Sequence, residues 1–415
     1  MQPGRRRQIR SNIRSENTVA KGVLKILVAL IVAIYVVSVI NALLSYRIER
    51  WTGIYAGKYF EYSGVINIQT QYSTGTATYF QIEKMCDSHS LDFAIFTDVN
   101  SIRPMDKGYS HRYGMTLVVP AIEIVSKDKH ERFLVIGDSI PILPGNGVSI
   151  DSAVNYAVSK RDLVFLAQPI TQSVFSNVVT DKITGMELYN FDQAWRRSLT
   201  FFQINKFLGA YSVYGFNTKA LNYLLAYPNR SMKYFDQLNQ RQKAVGIGSI
   251  GANNNTSIGK RSGWHFPNYE SLLPLVHTVI VTKVPFNAVY QHDRRILIEA
   301  LKNGNDYVAF SGLEHGRGFL FTARSDTNEV VMGDSLRLWG DAVLNVIVPD
   351  TDNVEAQVVR DGKVIATYND KSDINLPIRD PGQYRVQVFQ KRTLLPFFNK
   401  RKFPWILSNP IYIFK

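Results

Sequence analysis

The chain has 415 residues, two to three times the usual domain length. Its 45% hydrophobic and 20% charged content is that of a globular protein and excludes a disordered or collagen-like chain. A single cysteine, Cys86, excludes an intramolecular disulfide and a zinc site built on cysteine pairs. The net charge is +14, and nearly half of that excess lies before residue 47, where seven cations stand against one acid, Glu16.

The basic tail, residues 1–25, leads straight into an apolar run. Ile26 to Leu44 is nineteen residues without a charge, about what a ~30 Å hydrocarbon core requires at ~1.5 Å rise per residue. The run is longer than the core of a signal peptide. It leaves into Ser45-Tyr46-Arg47-Ile48-Glu49-Arg50-Trp51 with no small-residue cleavage site. These features predict an uncleaved transmembrane helix over 26–45. The positive-inside rule then places residues 1–25 in the cytoplasm and everything from about 46 outside it, with a single-pass anchor between them. An Arg-rich tail can also bind nucleic acid; set directly before an apolar span it is read as an orientation signal, and no nucleic-acid partner is expected.

From about 62 to 310, β-rich apolar runs alternate with amphipathic stretches. The runs are 64–68, 93–96, 116–119, 133–136, 163–166 and 278–281, and a helix is expected over 77–90 with Ala77, Phe80, Ile82 and Met85 on its apolar face. This spacing predicts an α/β body with parallel strands. After about 320 the texture becomes short strands and turns. Arg360-Asp361-Gly362 between 354–359 and 363–367 is a hairpin signal, because Asp-Gly supplies the positive φ of a primed turn. The alternation of Tyr384 to Phe389 predicts a half-buried strand, and 410–414 a last one. The expected domains are therefore 46–322 and a β-sandwich over 323–415.

The informative motifs lie at the ends of the first strands. Gly64-Val65-Ile66-Asn67-Ile68-Gln69-Thr70-Gln71-Tyr72-Ser73-Thr74-Gly75 is followed by Leu91-Asp92-Phe93-Ala94-Ile95-Phe96-Thr97-Asp98-Val99-Asn100. Together they resemble the opening of the polymerase and histidinol phosphatase (PHP) superfamily, G-x-L-H-x-H-T-x-x-S-D-G and then L-D-x-x-x-x-T-D-H-N. Pro120 to Ile124 is similar to that family's G-x-E-x, Leu166 to Pro169 to its A-H-P, Glu187 to Asn190 to its E-x-x-N, and Gly248 to Ala252 to its G-S-D-A-H. Later segments, Ile296 to Gly304, Gly333 to Leu338 and Trp405 to Tyr412, resemble the membrane-associated branch similar to carbaryl-hydrolase-like metallohydrolases. The resemblance implies a distorted β/α barrel followed by a small β-sandwich, with two or three divalent metals at the strand C-termini for hydrolysis of phosphate or carboxyl esters.

Taken ligand by ligand, this chain departs from that chemistry. Where the family has imidazoles it carries Asn67, Gln69, Val99 and Gln168, and Thr74 replaces the first-loop Asp. Ile250 and Ala252 stand where the last motif has Asp and His, and only Asp98, Glu123 and Glu187 remain of the acidic set. Metals of this class need imidazole or carboxylate lone pairs, which Val and Ile cannot offer. The expectation is a metal-free pseudoenzyme without cofactor, in which Asp98 and Glu123 pair with Asn67 and Gln69. The alternative is a hydrolase with one divalent metal on Asp98, Glu123 and Glu187. The seven histidines show no ligand spacing. The polar loop ending in Lys260 and Arg261, beside Trp264 and His265, is a candidate anion-binding element. Gly246-Ile247-Gly248-Ser249-Ile250-Gly251 matches a dinucleotide fingerprint in letters only, since no βαβ context surrounds it. The partner expected for such a protein is the membrane through 26–45 and a protein or other component of the cell envelope.

Overall fold

The computed structural model describes residues 21–33, 35–37 and 40, and then 58–415 except 128–130, 140, 145–146, 169–181, 201–207, 209–210, 212–217, 254–265, 327, 339 and 394–399. The N-terminal stretch 21–33 is helical, with Leu24, Ile26 and Ile31 more than 60% exposed. Residues 1–20, and 34, 38–39 and 41–45 of the expected span, lie outside the described residues. Among the described residues no helix is long and apolar enough to cross a membrane.

The main body is mixed α/β. Its first ten strands are β1 (Phe60–Ile68), β2 (Phe93–Val99), β3 (His111–Tyr113), β4 (Thr116–Val125), β5 (Arg132–Ile136), β6 (Leu163–Leu166), β7 (Gly185–Asn190), β8 (Val245–Ser249), β9 (His277–Thr282) and β10 (Asp306–Ala309). Nine of them form a continuous sheet in the order β10-β9-β1-β2-β4-β5-β6-β7-β8, and β3 pairs antiparallel with β4 off that path. The sheet curls until the end of β8 meets the end of β1 through the Ile68–Ala252 bridge. At that seam Ala252 N–H donates to Asn67 O (2.9 Å) and Gln69 N–H to Ala252 O (3.0 Å). Gly248 permits the close approach inside the curl, because a Cβ there would stand 2.5 Å from Val308 Cγ1.

The strands are not all parallel, which corrects the reading from spacing. β1–β2, β2–β4, β6–β7 and β7–β8 are parallel, whereas β5 is antiparallel to both β4 and β6, and β9 to both β1 and β10. The reason is length: residues 126–131 are too few for a parallel crossover, which needs a dozen or more, so β4 and β5 must form a hairpin.

Among the described residues of this body, the helices of ten or more residues are α1 (Tyr79–Ser88), α2 (Ile150–Ser159), α3 (Asn229–Asn239) and α4 (Tyr290–Asn303). Thr78 and Gln81 form a reciprocal capping box that starts α1, satisfying two of the orphan N–H groups at its first turn. The buried residues of α1 are Tyr79, Ile82, Glu83 and Cys86, which follow helical spacing. The expected apolar face shared only Ile82 with this set, and Phe80 is 62% exposed. Leu297, Ala300 and Leu301 of α4 pack on Ile66, Phe93, Ile95, Leu117 and Val119 of the sheet.

The remaining strands are β11 (Leu320–Ser325), β12 (Asn328–Val331), β13 (Ser335–Arg337), β14 (Ala342–Ile347), β15 (Val354–Arg360), β16 (Lys363–Asn369), β17 (Asp373–Ile378), β18 (Gly382–Arg392), β19 (Arg401–Ser408) and β20 (Ile411–Phe414). A separate four-stranded sheet, β12-β11-β14-β17, shares one core with β13, β15, β18, β19 and β20. β19 pairs with β10, so the first sheet continues into the C-terminal strands. The Asp361-Gly362 turn forms as expected, with φ of 50° and 80°. β18, in contrast, is buried on both faces over residues 384–390, because α3 covers its polar side: Arg385 forms a bidentate pair with Asp236 (2.7 and 2.8 Å) and Gln387 accepts from Tyr227 Oη (2.5 Å).

Candidate functional site

The ends of β1, β2, β4, β6, β7 and β8 bring the motif positions together. Asn67 ends the regular part of β1 with φ of 68°, a left-handed conformation that Asn tolerates better than most residues. The β1–β2 register shifts at the same place, between Ile66 and Ile68. Asn67 is fully buried; its Nδ2 donates to Glu187 Oε1 (2.9 Å) and its Oδ1 accepts from Thr97 Oγ1 (3.1 Å). Two residues on, Gln69 Nε2 donates to Glu123 Oε2 (2.7 Å), and Thr74 Oγ1 donates to Gln69 Oε1.

Each carboxylate is wrapped by donors. Asp98 accepts from Thr70 N–H (2.7 Å), Thr70 Oγ1 (2.8 Å) and Ser73 Oγ (2.6 Å). Glu187 accepts from Asn67, Ser249 Oγ, Asn190 Nδ2 and the backbone N–H of Gln168 (2.7 Å). Glu123 accepts from Gln69 and from the guanidinium of Arg132 (2.7 Å). All three acids are 0% exposed. Burial pushes Glu187 and Asp98 above the ordinary carboxylate range, and their hydroxyl, amide and backbone donors oppose that rise.

The expected pairing thus holds for Gln69 with Glu123 and fails for Asp98, whose partners are Thr70 and Ser73; Asn67 goes to Glu187. Val99 stands opposite Glu123 in the β2–β4 register. Gln168 contributes its N–H from a positive φ of 50°. Ile250 and Ala252 are fully buried and act through their backbones: Ile250 N–H donates to Ile66 O (3.2 Å), and Ala252 makes the seam bonds. Lys260, Arg261, Trp264 and His265, the candidate anion-binding residues, lie outside the described residues.

Arg132 escaped the sequence reading. Glu123 faces Leu134 across the β4–β5 hairpin, and Arg132 is two residues earlier on β5, on the same face. That diagonal distance is within reach of a long side chain. The signal lay in the short spacing between Glu123 and Arg132, but only the hairpin register turns it into a contact.

Among the described residues, the donor set at these strand ends is a poor fit for a divalent metal. The amide nitrogens of Asn67 and Gln69 point at carboxylates as donors, and the side chains of Val99, Ile250 and Ala252 carry no lone pair. The acid oxygens already accept from hydroxyl, amide and guanidinium groups, and the Arg132 charge repels a cation. Among the described residues no group of three or more His, Cys, Asp or Glu is arranged to hold a metal ion. All three acids are closed off from solvent, with their oxygens turned toward these donors. Among the described residues the arrangement spends these acids on ordering the strand ends.

No family model matches the sequence, and no curated protein matches it. Among solved structures, the chain is similar to the crystal structure of a two-domain protein from Bacteroides vulgatus that contains a predicted PHP-like metal-dependent phosphoesterase. The identity is 11% over 86% of this chain and 100% of that one, with a TM-score of 0.39. At that distance the likeness assigns no chemistry to this chain.

Proposed function

We propose that this protein is a membrane-anchored, outward-facing, PHP-like pseudoenzyme that serves as a binding or scaffolding component of the bacterial cell envelope. The observation that carries the reading is the Arg132–Glu123–Gln69 chain of hydrogen bonds, in which a fixed cation and an amide occupy the acid that a hydrolytic metal would need. The ordered motif segments from Gly64 to Ala252 support the superfamily, with a PHP-type barrel and a C-terminal β-sandwich. The segments from Ile296 to Tyr412 support the carbaryl-hydrolase-like branch. The anchor over 26–45 is supported by its uncharged length and by apolar side chains exposed along helix 21–33, since a helix apolar on every side is suited to lipid. Seven preceding cations orient it with the N-terminus inside.

Hydrolysis of a panel of phosphate and carboxyl esters by the purified full chain, with Mn²⁺ or Zn²⁺ supplied, tests the pseudoenzyme reading. No turnover is expected. Metal-dependent turnover that is lost in Glu123→Ala while the protein stays folded replaces it with a hydrolase using Asp98, Glu123 and Glu187. A reporter fused after Lys415 tests the orientation: activity is expected only outside the cytoplasm, and cytoplasmic activity overturns it.

A further inference from the structure

About four residues before the carboxylate cluster on β1, roughly 13 Å along the strand at ~3.3 Å per residue, the other end of the curled sheet holds a second polar assembly. Ser63, Ser90, His89, His277, His315 and Arg317 line a cleft of 390 Å³. Widely separated segments meet there, which is why no histidine spacing announced it.

Its floor has a defined proton arrangement. His277 Nε2 lies 2.8 Å from the carbonyl oxygen of Leu273; a carbonyl only accepts, so the proton is on Nε2 and Nδ1 is bare. Ser63 Oγ, 2.9 Å from Nδ1, therefore donates its hydrogen to the ring. Burial pushes His277 down to about 3, which keeps this tautomer neutral at pH 7 and makes it a poor base. Ser63 accordingly presents lone pairs, and no hydrogen, to the cleft.

The rim is the opposite. Arg317 spends one donor on Asp92 (2.5 Å), and Asp92 also accepts from Ser63 N–H (2.8 Å). A guanidinium carries five N–H donors, so Arg317 is oriented by Asp92 with most of its capacity unspent. Among the described residues, neither the His315 ring nor the Ser90 hydroxyl has a hydrogen-bond partner. The acids nearby are already engaged, Asp92 by Arg317 and Glu270 by His89 (3.0 Å).

We propose that this cleft binds a phosphate group, as inorganic phosphate or a small phosphate monoester. Arg317, His315 and Ser90 grip its oxygens, and Ser63 accepts an O–H of the ligand. Planar guanidinium and neutral imidazole N–H groups suit phosphate oxygens, and the cleft is larger than a bare tetrahedral anion, leaving room for an organic remainder. The site is separate from the carboxylate cluster and does not depend on how that cluster is read.

Calorimetric titration of the full chain in detergent at pH 7 tests it, with inorganic phosphate, glycerol 3-phosphate and sulfate as probes. Phosphate is expected to bind at least about tenfold more tightly than sulfate, because phosphate carries an O–H for Ser63 and sulfate does not. Tighter binding of glycerol 3-phosphate than of inorganic phosphate identifies an esterified ligand, and the reverse order a free anion; either order supports the site. Arg317→Gln should weaken phosphate binding about tenfold or more, and His315→Gln by roughly threefold. Should Arg317→Gln fail to fold, His315→Gln and Ser90→Ala read the same contacts from residues with no partner to lose. Absence of saturable phosphate binding overturns the proposal, as does affinity unchanged in the His315 and Ser90 variants. Equal affinity for sulfate and phosphate removes the role given to Ser63.

Discussion

Glu187 and Asp306 are both fully buried acids on strands of the same sheet, and burial raises both above the ordinary carboxylate range. Their surroundings differ completely. Glu187 accepts from Asn67, Ser249, Asn190 and Gln168, whereas among the described residues neither carboxyl oxygen of Asp306 has a hydrogen-bond partner. The Asn409 amide beside it opposes that rise, but its Nδ2 donates to the carbonyls of Gly246 and Asp306 (3.2 and 3.0 Å) and not to the carboxyl. Burial alone therefore says little about an acid. Donors decide whether it is an organising centre, as at the strand ends, or a neutral group accommodated in a packed core, as at the head of β10.

The sharpest way to break the organised centre is to remove the cation paired with Glu123. Arg132→Leu leaves Glu123, which is fully buried, without its charged partner. Loss of one member of a buried pair costs about 3–5 kcal/mol, and chemical denaturation of the full chain should show it. A smaller loss is unexpected so long as Gln69 is the other donor.

Next in size come two isosteric neutralisations with opposite signs. Glu187→Gln replaces an acceptor with an amide that must turn a donor toward existing donors, and should cost about 1–3 kcal/mol. Asp306→Asn meets no such donors. Because its folded-state pKa is raised, native Asp306 keeps a proton that the unfolded chain releases above about pH 4, so the parent loses stability as pH rises from there. The loss continues until the native carboxyl itself ionises. The Asn variant should be near neutral at pH 5 and gain on the parent as pH rises, by at most about 1.4 kcal/mol per pH unit. Denaturation curves at pH 5 to 8 measure the difference. A Glu187→Gln variant more stable than the parent, or an Asp306→Asn difference flat with pH, would erase the contrast between the two acids.

Several elements were legible because their causes are local. The Asp361-Gly362 hairpin needs only two residues that tolerate positive φ. β6 was read at its observed bounds, Leu163–Leu166, from a short apolar run. The helix near residue 80 was legible as an element, but its buried face was not: Tyr79 and Glu83 are turned inward, and Tyr79 stacks on Phe96 and Tyr109 (ring centroids 4.4 Å in each case). The polar side of β18 misled for a related reason. Arg385 and Gln387 alternate with apolar residues as a half-exposed strand would, yet α3 lies over them and supplies Asp236 as a counter-charge.

By itself the sequence determined the chemical inventory at the strand ends: amides at 67, 69 and 168, aliphatic side chains at 99, 250 and 252, and three acids at 98, 123 and 187. From lone pairs alone it followed that these positions are short of metal ligands. The pairing of those groups was decided by tertiary structure. Which amide meets which acid depends on the bulge at Asn67 and on the seam between β1 and β8. Arg132 reaches Glu123 because a six-residue connection forces β4 and β5 into a hairpin whose register sets them on one face. His277 joins Ser63 because β9 runs antiparallel beside β1. Side-chain chemistry is a property of each residue, but hydrogen bonds act over about 3 Å, and that distance is set by chain segments far apart in sequence.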